Sequence, residues 1–572
     1  MGPGLRRDDE GWDASCRAAW RRSEFAGGRG YRRSVESEEA FIATETELKL
    51  AARPADLPAL RHALEKMARG SRPSRAKLVS VYYDTPDRKL QREKLSLRVR
   101  SKGRQFIQTV KSPPSESGNG LSRGEWEDAV ASLEPDRAAP QSGKLLRTVA
   151  GDNLAPLFTT EIERTAIDLS PFPATRIEAA IDSGTIRAGE NGAEERVSEV
   201  ELELKGGEAT ALYDVALRLL DVAPLRLDFG SKAQRGYRLI AADISAPEAV
   251  HAKAPALDPA MRGDAALRQI GHASLRHLMA NEPAALAGNS EAIHQMRVAA
   301  RRLRAILSAF RKMLPAGQRR AISAELRWLA NALGPARNFD VLAGTLLEPA
   351  RETVADAAEL EAFAEAAERQ RQIAYAEAIA AIRSKRYTAL VLRTLRWLDA
   401  TGWSERAGSV ALHRPLADIA PILMERSRHA TLKRARKFSE QSAAQRHQLR
   451  IALKKLRYTA EAFAGLYPRD RAEEFEKRLK RLQDDLGEAN DIHVGRDLVA
   501  ALTYTSASGE AIARAGRNIL RWHRERVEQQ EPETRQHLKE LRRAVPFWRE
   551  EAAAPSDPQE ASADAKSGQY QA

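Results

Sequence analysis

Glu45, Glu47 and Lys49 stand at alternate positions of the run Glu45-Thr46-Glu47-Leu48-Lys49. Side chains two apart share one face of a β-strand, so two carboxylates and an ammonium stand together while Leu48 and Leu50 face the other way. Carboxylate oxygens are the hard ligands that Mg²⁺ or Mn²⁺ prefer. An ammonium beside them suits a phosphate oxygen. Taken alone, such a face is an ordinary solvated side of a sheet. Its chemistry depends on what the neighbouring strands place beside it.

Those neighbours carry the same kind of pattern. Leu78 to Asp84 alternates and runs into the turn Thr85-Pro86-Asp87. Leu95 to Arg100 sets Ser96, Arg98 and Arg100 on one face, and a turn at Lys102-Gly103 leads into Gln105 to Lys111. Further strands are read at Phe158 to Leu169, Thr175 to Ile186 and Val197 to Lys205, the last with Glu199, Glu201 and Glu203 on one face. Helical spacing marks Pro54 to Gly70 and Glu208 to Leu220. Hairpins of this kind predict an antiparallel sheet. If its polar faces turn into a closed barrel, the lumen gathers carboxylates with Arg98, Arg100, Lys111, Arg164 and Lys232. Such a lumen could hold a metal–polyphosphate complex and support metal-assisted hydrolysis with electrostatic stabilisation of a phosphoryl transition state.

The run Glu45-Thr46-Glu47-Leu48-Lys49 resembles the ExExK signature of the CYTH, or triphosphate tunnel metalloenzyme, superfamily. Ser96 to Arg100, Thr109-Val110-Lys111, Glu163-Arg164, Ile181-Asp182, Glu199 to Glu203 and Ser231-Lys232 follow in the order of its later strands. The resemblance spans about residues 40–243. It implies an eight-stranded antiparallel tunnel that cleaves triphosphates with Mg²⁺ or Mn²⁺. Carried over by position, Glu45, Glu47, Glu201 and Glu203 would bind metal, with Asp182 steering metal or water. Lys49, Arg98, Arg100, Lys111, Arg164 and Lys232 would clamp phosphate. Glu199 is a third candidate on the Glu-rich strand, or a spare acid near the rim.

The 572 residues suggest three or four domains, and 43% hydrophobic with 30% charged residues fits a globular chain. A net charge of +13 suggests a polyanionic partner. The single cysteine, Cys16, excludes an internal disulfide and a cysteine-based zinc site. No apolar run reaches the ~18 residues of a membrane span. Residues 1–39 carry Arg pairs without a hydrophobic core and read as a flexible basic extension, not a signal peptide. A cytoplasmic protein is expected.

Residues 244–260 are Ala/Pro-rich and read as a linker. Beyond Met261 the sequence is helical in composition and repeats itself. His294-Gln295-Met296-Arg297 through Arg304 matches His447-Gln448-Leu449-Arg450 through Arg457, 153 positions on, and Leu333-Gly334 matches Leu486-Gly487 in the same register. On a helix, His294, Arg297, Arg301 and Arg304 form one stripe, and His447, Arg450, Lys454 and Arg457 form its copy. Val298, Leu303, Ile306 and Phe310 make the apolar side. Two retained stripes suggest a polyanion-binding seam, with no carboxylate cluster and hence no metal site. The repeat resembles the CHAD domain, over about 261–550, with repeats at about 261–400 and 412–550. That resemblance implies paired helical bundles binding inorganic polyphosphate. Residues 551–572 read as a disordered tail.

The expected fold is therefore α+β multidomain: an N-terminal eight-stranded antiparallel β tunnel followed by an all-α duplicated helical-bundle domain. The expected function is metal-dependent hydrolysis of inorganic triphosphate to pyrophosphate and phosphate by metal-activated water, with polyphosphate bound by the helical half. A non-catalytic polyphosphate adaptor, a hydrolase of an organic triphosphate, and a nucleotide cyclase on the same fold are alternatives. Aromatic content of 6% and the lack of a reader motif argue against a nucleic-acid partner.

Overall fold

A computed structural model describes residues 43–549 except 69, 114–120, 150–152, 189–191, 229, 242–245, 352–355 and 506–507. The expected basic extension and C-terminal tail lie outside the described residues. The chain divides into two compact units: one runs to Ala246 and takes in Arg383–Ala400, the other comprises Pro247–Ile382 and the chain from Thr401 on. The segment Arg383–Ala400, read from the sequence as the end of the first helical repeat, is thus grouped with the first unit.

In the first unit the strands are β1 (Ala43–Ala51), β2 (Ser74–Asp84), β3 (Ser96–Lys102), β4 (Gln105–Lys111), β5 (Ser122–Val130), β6 (Ala155–Leu169), β7 (Arg176–Ala188), β8 (Glu194–Gly206) and the two-residue β9 (Arg226–Leu227). Their order is β5-β4-β3-β2-β6-β7-β8-β1, and β5 also pairs with β1. All pairings are antiparallel, so eight strands close into a barrel, with β9 added to the end of β1. Closure leaves no free edge among the eight. It also sends alternate residues of every strand inward.

Strand β5 was not read from the sequence. Arg123, Glu125 and Glu127 do alternate, but Gly124 and the preceding Pro/Ser/Gly-rich stretch hide the period.

The outward phase is apolar and covered. Leu48, Leu50, Val200 and Leu202 are fully buried beneath α1 (Leu57–Met67) and α2 (Thr210–Val222). Helix Lys385–Asp399 lies on α2: Arg396 Nε meets Asp214 Oδ1 at 2.5 Å, and Tyr213 OH donates to Asp399 Oδ2 at 2.6 Å. Helix α3 (Lys232–Ile240) covers β6, β7 and β8. Ser231 caps it in a capping box with Gln234. Ser231-Lys232 therefore opens a helix rather than a strand.

Helix α3 is pinned from two sides. Tyr237 OH donates to the buried Asp84 carboxylate at 2.8 Å, and Asp84 also accepts the N–H groups of Leu90 and Gln91. The Phe158 ring stacks on Tyr82 at 4.6 Å and meets Tyr237 edge-on at 5.5 Å. Gly236 lies directly on that ring: a Cβ there would stand 2.1 Å from Phe158.

The second unit is helical. Its main elements are α4 (Gly263–Ala280), α5 (Ser290–Ala309), α6 (Ala316–Ala332), α7 (Ala357–Ile382), α8 (Leu416–Arg434), α9 (Ala443–Phe463), α10 (Arg469–Thr505) and α11 (Gly509–Arg543). Asn289 caps α5, and a Ser442–Gln445 capping box starts α9, its equivalent 153 residues on. Leu303, Ile306 and Phe310 enter the core as expected, and Phe310 meets its repeat partner Phe463 at 6.3 Å. Val298 instead lines a cavity. No described helix is long and apolar enough to cross a membrane.

Alanine in place of a helical glycine normally stabilises by ~1 kcal/mol. At Gly236 the sign is expected to reverse: Gly236→Ala should lose about 1–3 kcal/mol by overpacking against Phe158. Denaturant unfolding followed by tryptophan fluorescence checks this.

Candidate functional site

The barrel lumen is a cavity of about 300 Å³. Glu45, Glu47, Lys49, Arg98, Arg100, Lys111, Arg164, Glu201, Glu203 and Lys232 all line it, so ten of the eleven expected tunnel residues converge in one space. Strand register explains how. Glu47 lies opposite Glu203 and Lys49 opposite Glu201 across the β1–β8 pair. Glu45 lies opposite Arg123 on β5, and Lys111 opposite Glu125.

The eleventh, Asp182, stands behind the wall. Fully buried, it accepts two bonds from Arg164, at 2.8 and 2.7 Å, and one from Lys232 at 2.7 Å. It is not among the residues that line the lumen, and it orients two cations that are. Glu199 is also not at the rim: 1% exposed, it is held by Lys232 at 2.5 Å and Arg235 at 3.0 Å.

Asp182, Glu199 and Glu201 bring carboxylate oxygens within 4.8 Å of one another. Lys232 Nζ already fills the space between them, 2.7, 2.5 and 2.8 Å from the three. An ammonium and a divalent ion compete for the same oxygens, so Lys232 in this position and a metal would exclude one another at this cluster. Burial would lower Lys232, but Glu201, Asp182 and Glu199 raise it well above the usual lysine value. Burial likewise opposes ionisation of Glu201, and Lys232, Lys49 and Arg164 overcome it, holding its carboxyl well below the usual range.

Carboxylates that face the lumen are further candidate metal ligands. Glu203 is raised by burial, and Glu45 and Glu178 nearby add like charge, although Lys205 contacts it at 2.6 Å. Surplus negative charge at this end, with Glu47 in register opposite, suits a hard divalent cation. Burial would raise Glu45 too, but Lys111 at 2.6 Å and Arg123 at 3.0 Å hold it at about 2.

Arg123 was missed with its strand. It bridges both acids of the β1 signature, reaching Glu45 at 3.0 Å and Glu47 at 2.6 Å. Glu125 and Glu127 also line the lumen. On the facing wall the cations are less well matched. Arg98 comes no nearer than 3.9 Å to Glu125. Among the described residues Arg100 has only a 3.3 Å bond to Ser80, and burial, then Arg98 and Arg164, lower it to about 10. Nine cationic side chains line the lumen against seven carboxylates, so it favours an anion.

In the helical unit, His294, Arg297, Arg301, His447, Arg450, Lys454 and Arg457 line one open cavity of about 710 Å³. Arg304 does not; it faces another side of α5. Asp484, Glu488 and Asp491 also line the cavity, brought by α10, which the stripe alone could not reveal. Asp491 stands 3.8 Å from Arg450, and Asn490 meets His447 Nδ1 at 2.9 Å. Arg297 donates to the Ala330 carbonyl. Buried nitrogens of His294, Arg297, Arg301 and Arg450 lack a hydrogen-bond partner among the described residues. Burial and Arg337 lower His294 to about 4; burial, Arg450 and Arg301 lower Lys454 to about 7. Cations crowded together in this way are relieved by an anion.

Residues 43–237 match the CYTH domain family, and residues 269–500 match the CHAD domain family. The chain thus joins a CYTH domain to a CHAD domain. An inorganic triphosphatase of Haemophilus influenzae is 33% identical over 163 residues, 28% of this chain and 46% of that protein. The chain therefore spans about half the length of that curated relative. An uncharacterized Mycobacterium tuberculosis protein is 28% identical over 472 residues, 76% of this chain and 84% of its own. Among solved structures, the CHAD domain from the plant Ricinus communis is 28% identical and covers 52% of this chain and 98% of its own, with a TM-score of 0.44.

Removing the central ammonium leaves three buried carboxylates without it. Lys232→Ala should cost about 3–5 kcal/mol. Because the ammonium and a divalent ion compete for these oxygens, added Mg²⁺ should recover part of that loss in the variant; urea unfolding with and without Mg²⁺ reads both outcomes.

Proposed function

We propose that the barrel hydrolyses inorganic triphosphate to pyrophosphate and phosphate with Mg²⁺ or Mn²⁺, and that the helical unit binds inorganic polyphosphate through its His–Arg seam. The observation that carries the reading is the division of the lumen: acids of β1 and β8 on one side, and on the other Arg98 beside an Arg100 that has no carboxylate partner among the described residues. The naming of the Haemophilus influenzae relative as an inorganic triphosphatase supports the choice of substrate.

A divalent ion held by Glu45, Glu47, Glu201 and Glu203 would supply Lewis-acid charge and a more acidic bound water. The chain's own side chains do the rest. Arg98 and Arg100 offer guanidinium forks to phosphate oxygens. Lys111 and Arg123, which pair with Glu45, would turn an ammonium and a guanidinium to phosphate oxygens if that acid held the metal. Lys49 and Arg164 sit over Glu201 and stabilise charge that grows on the leaving pyrophosphate. Asp182 fixes the Arg164 fork by a bidentate pair, so it positions a clamp without touching substrate. The closed wall limits water and strengthens each of these interactions.

The test is phosphate release from a panel of triphosphate, ATP, thiamine triphosphate and long-chain polyphosphate, with Mg²⁺ or Mn²⁺. Glu45→Ala/Glu47→Ala should abolish release, and Arg100→Ala should lower kcat by about two to three orders of magnitude. Tight polyphosphate binding with no release under either metal would replace the hydrolase reading by that of an adaptor.

The seam carries its own pH signature. An anion beside Lys454 raises its pKa from about 7, so binding takes up a proton. Affinity for polyphosphate should therefore fall as pH rises from about 6 to about 8, and Lys454→Arg, always charged, should flatten the fall. Calorimetry in EDTA, which silences the barrel, measures this.

A further inference from the structure

The 153-residue repeat that links His294 to His447 also relates α4 to α8 and α5 to α9. Where the two copies meet, the backbone exchanges equivalent bonds: Gly263 N–H donates to Arg414 O and Leu416 N–H donates to Met261 O. Each copy therefore has a groove between its first two helices and the end of the other copy's second helix. The two grooves have diverged.

In the first, Ile270, Ser274, His277 and Arg302 face Tyr458 and Glu461. The stretch read from the sequence as a linker lies in it: Ala252, Lys253, Ala254 and Pro255 line what remains, about 40 Å³. The linker backbone is gripped by amides and an imidazole. Val250 N–H donates to Asn281 Oδ1 at 2.9 Å, and Val250 O accepts from Asn281 Nδ2 at 2.9 Å and meets His277 Nε2 at 3.0 Å. Gln269 donates to the Ala256 carbonyl. The cation of this groove, Arg302, is neutralised by Glu461 at 2.5 Å.

In the second groove every one of those devices is replaced. At the positions 153 residues away, Arg434 stands for Asn281, Ala430 for His277, Ile422 for Gln269 and Ser308 for Glu461. Lys455 keeps the charge of Arg302, and Arg426 adds one where the first copy has Ala273. No chain segment fills this groove among the described residues, and it leaves a cavity of about 420 Å³. Arg311, Arg426, Arg434 and Lys455 line it with no carboxylate in the lining, and none of the four forms an ion pair among the described residues. Burial, then Arg304, Arg434, Arg311 and Arg327, lower the Lys455 pKa, a sign of cations gathered without counter-charge. Arg304, absent from the His–Arg seam, belongs to this cluster.

We propose that this second groove is an anion site for a phosphate chain, separate from the His–Arg seam and on a different face of α5 and α9. The loss of the amide and imidazole grips removes what would hold a peptide backbone, and three guanidinium forks with one ammonium are what phosphate oxygens take. Only the choice of phosphate as the anion rests on the polyphosphate reading of the helical unit.

Two neighbouring amines report the two sites separately: Lys454 lines the seam and Lys455 the groove. The full chain in EDTA and low salt is acylated with acetic anhydride, with or without long-chain polyphosphate or an equally charged polyglutamate, and both lysines are followed by mass spectrometry. Polyphosphate should suppress labelling of Lys455, and polyglutamate should not. Arg426→Ala/Arg434→Asn, both on exposed side chains, should lose the Lys455 protection while Lys454 stays protected. Lys454 protected and Lys455 not overturns the groove while sparing the seam, and neither protected overturns both. Equal protection of Lys455 by polyglutamate overturns the phosphate assignment in favour of an acidic peptide. Protection of Lys455 that persists in the double variant overturns the assignment to this groove.

Discussion

The ammonium of Lys232 sits among the carboxylates of Asp182, Glu199 and Glu201, all within 2.8 Å, in a region less than a tenth exposed. Bare carboxylates could not stay ionised there, because burial disfavours the charged form. With the ammonium present they do more than balance it. Glu201 turns its other oxygen to Arg164 and shares its first with Lys49, so the same group organises both cations at that end of the lumen. The barrel's polar interior is consequently a connected network rather than a set of separate ion pairs, and its geometry is set from the α3 end.

From this anchor the charge balance changes along the cavity. Near Lys232 each cation has one or more carboxylates at hydrogen-bond distance, and there the network is structural. Along β3 Arg98 reaches Glu125 only at 3.9 Å, and Arg100 is left with a hydroxyl among the described residues. Buried cations without counter-charge are costly unless a ligand supplies it. At the opposite side, burial and then the neighbouring Glu45 and Glu178 raise Glu203. A lumen deficient in negative charge on one wall and in positive charge on the other is matched by a metal together with an anion, and poorly by either one alone.

The helical unit reaches anion affinity by another route. Its cations come from two copies of one helix, so duplication doubled a stripe and set like charges face to face. Duplication also made two equivalent grooves, and point changes then separated them. Glu461 neutralises both Arg302 and Arg457, whereas Ser308 at its equivalent position leaves Lys455 and Arg304 without that relief. One groove became a clasp for the chain itself, and the other stayed open.

The amino-acid sequence determined the parts that depend on local periodicity and on repetition: the strand phases of Glu45, Glu47 and Lys49, the Glu-rich strand, the His–Arg stripes and the 153-residue repeat. Period-2 and period-3.6 patterns survive in one dimension because they follow from the backbone's own geometry. Strand β5 escaped because Gly124 and a Pro/Ser/Gly-rich approach blur its period, and Arg123 was lost with it. Tertiary structure alone decided which polar groups are ligand-facing and which are buried supports. Glu199, Glu201 and Glu203 look alike in sequence, yet strand register against β1 and β7 and the placement of α3 put the first behind the wall and the other two on the lumen. It likewise sent Arg304 away from its stripe and brought Asp484, Glu488 and Asp491 to the seam. Those outcomes turn on the contacts between elements far apart in the chain, and no spacing within a single element encodes them.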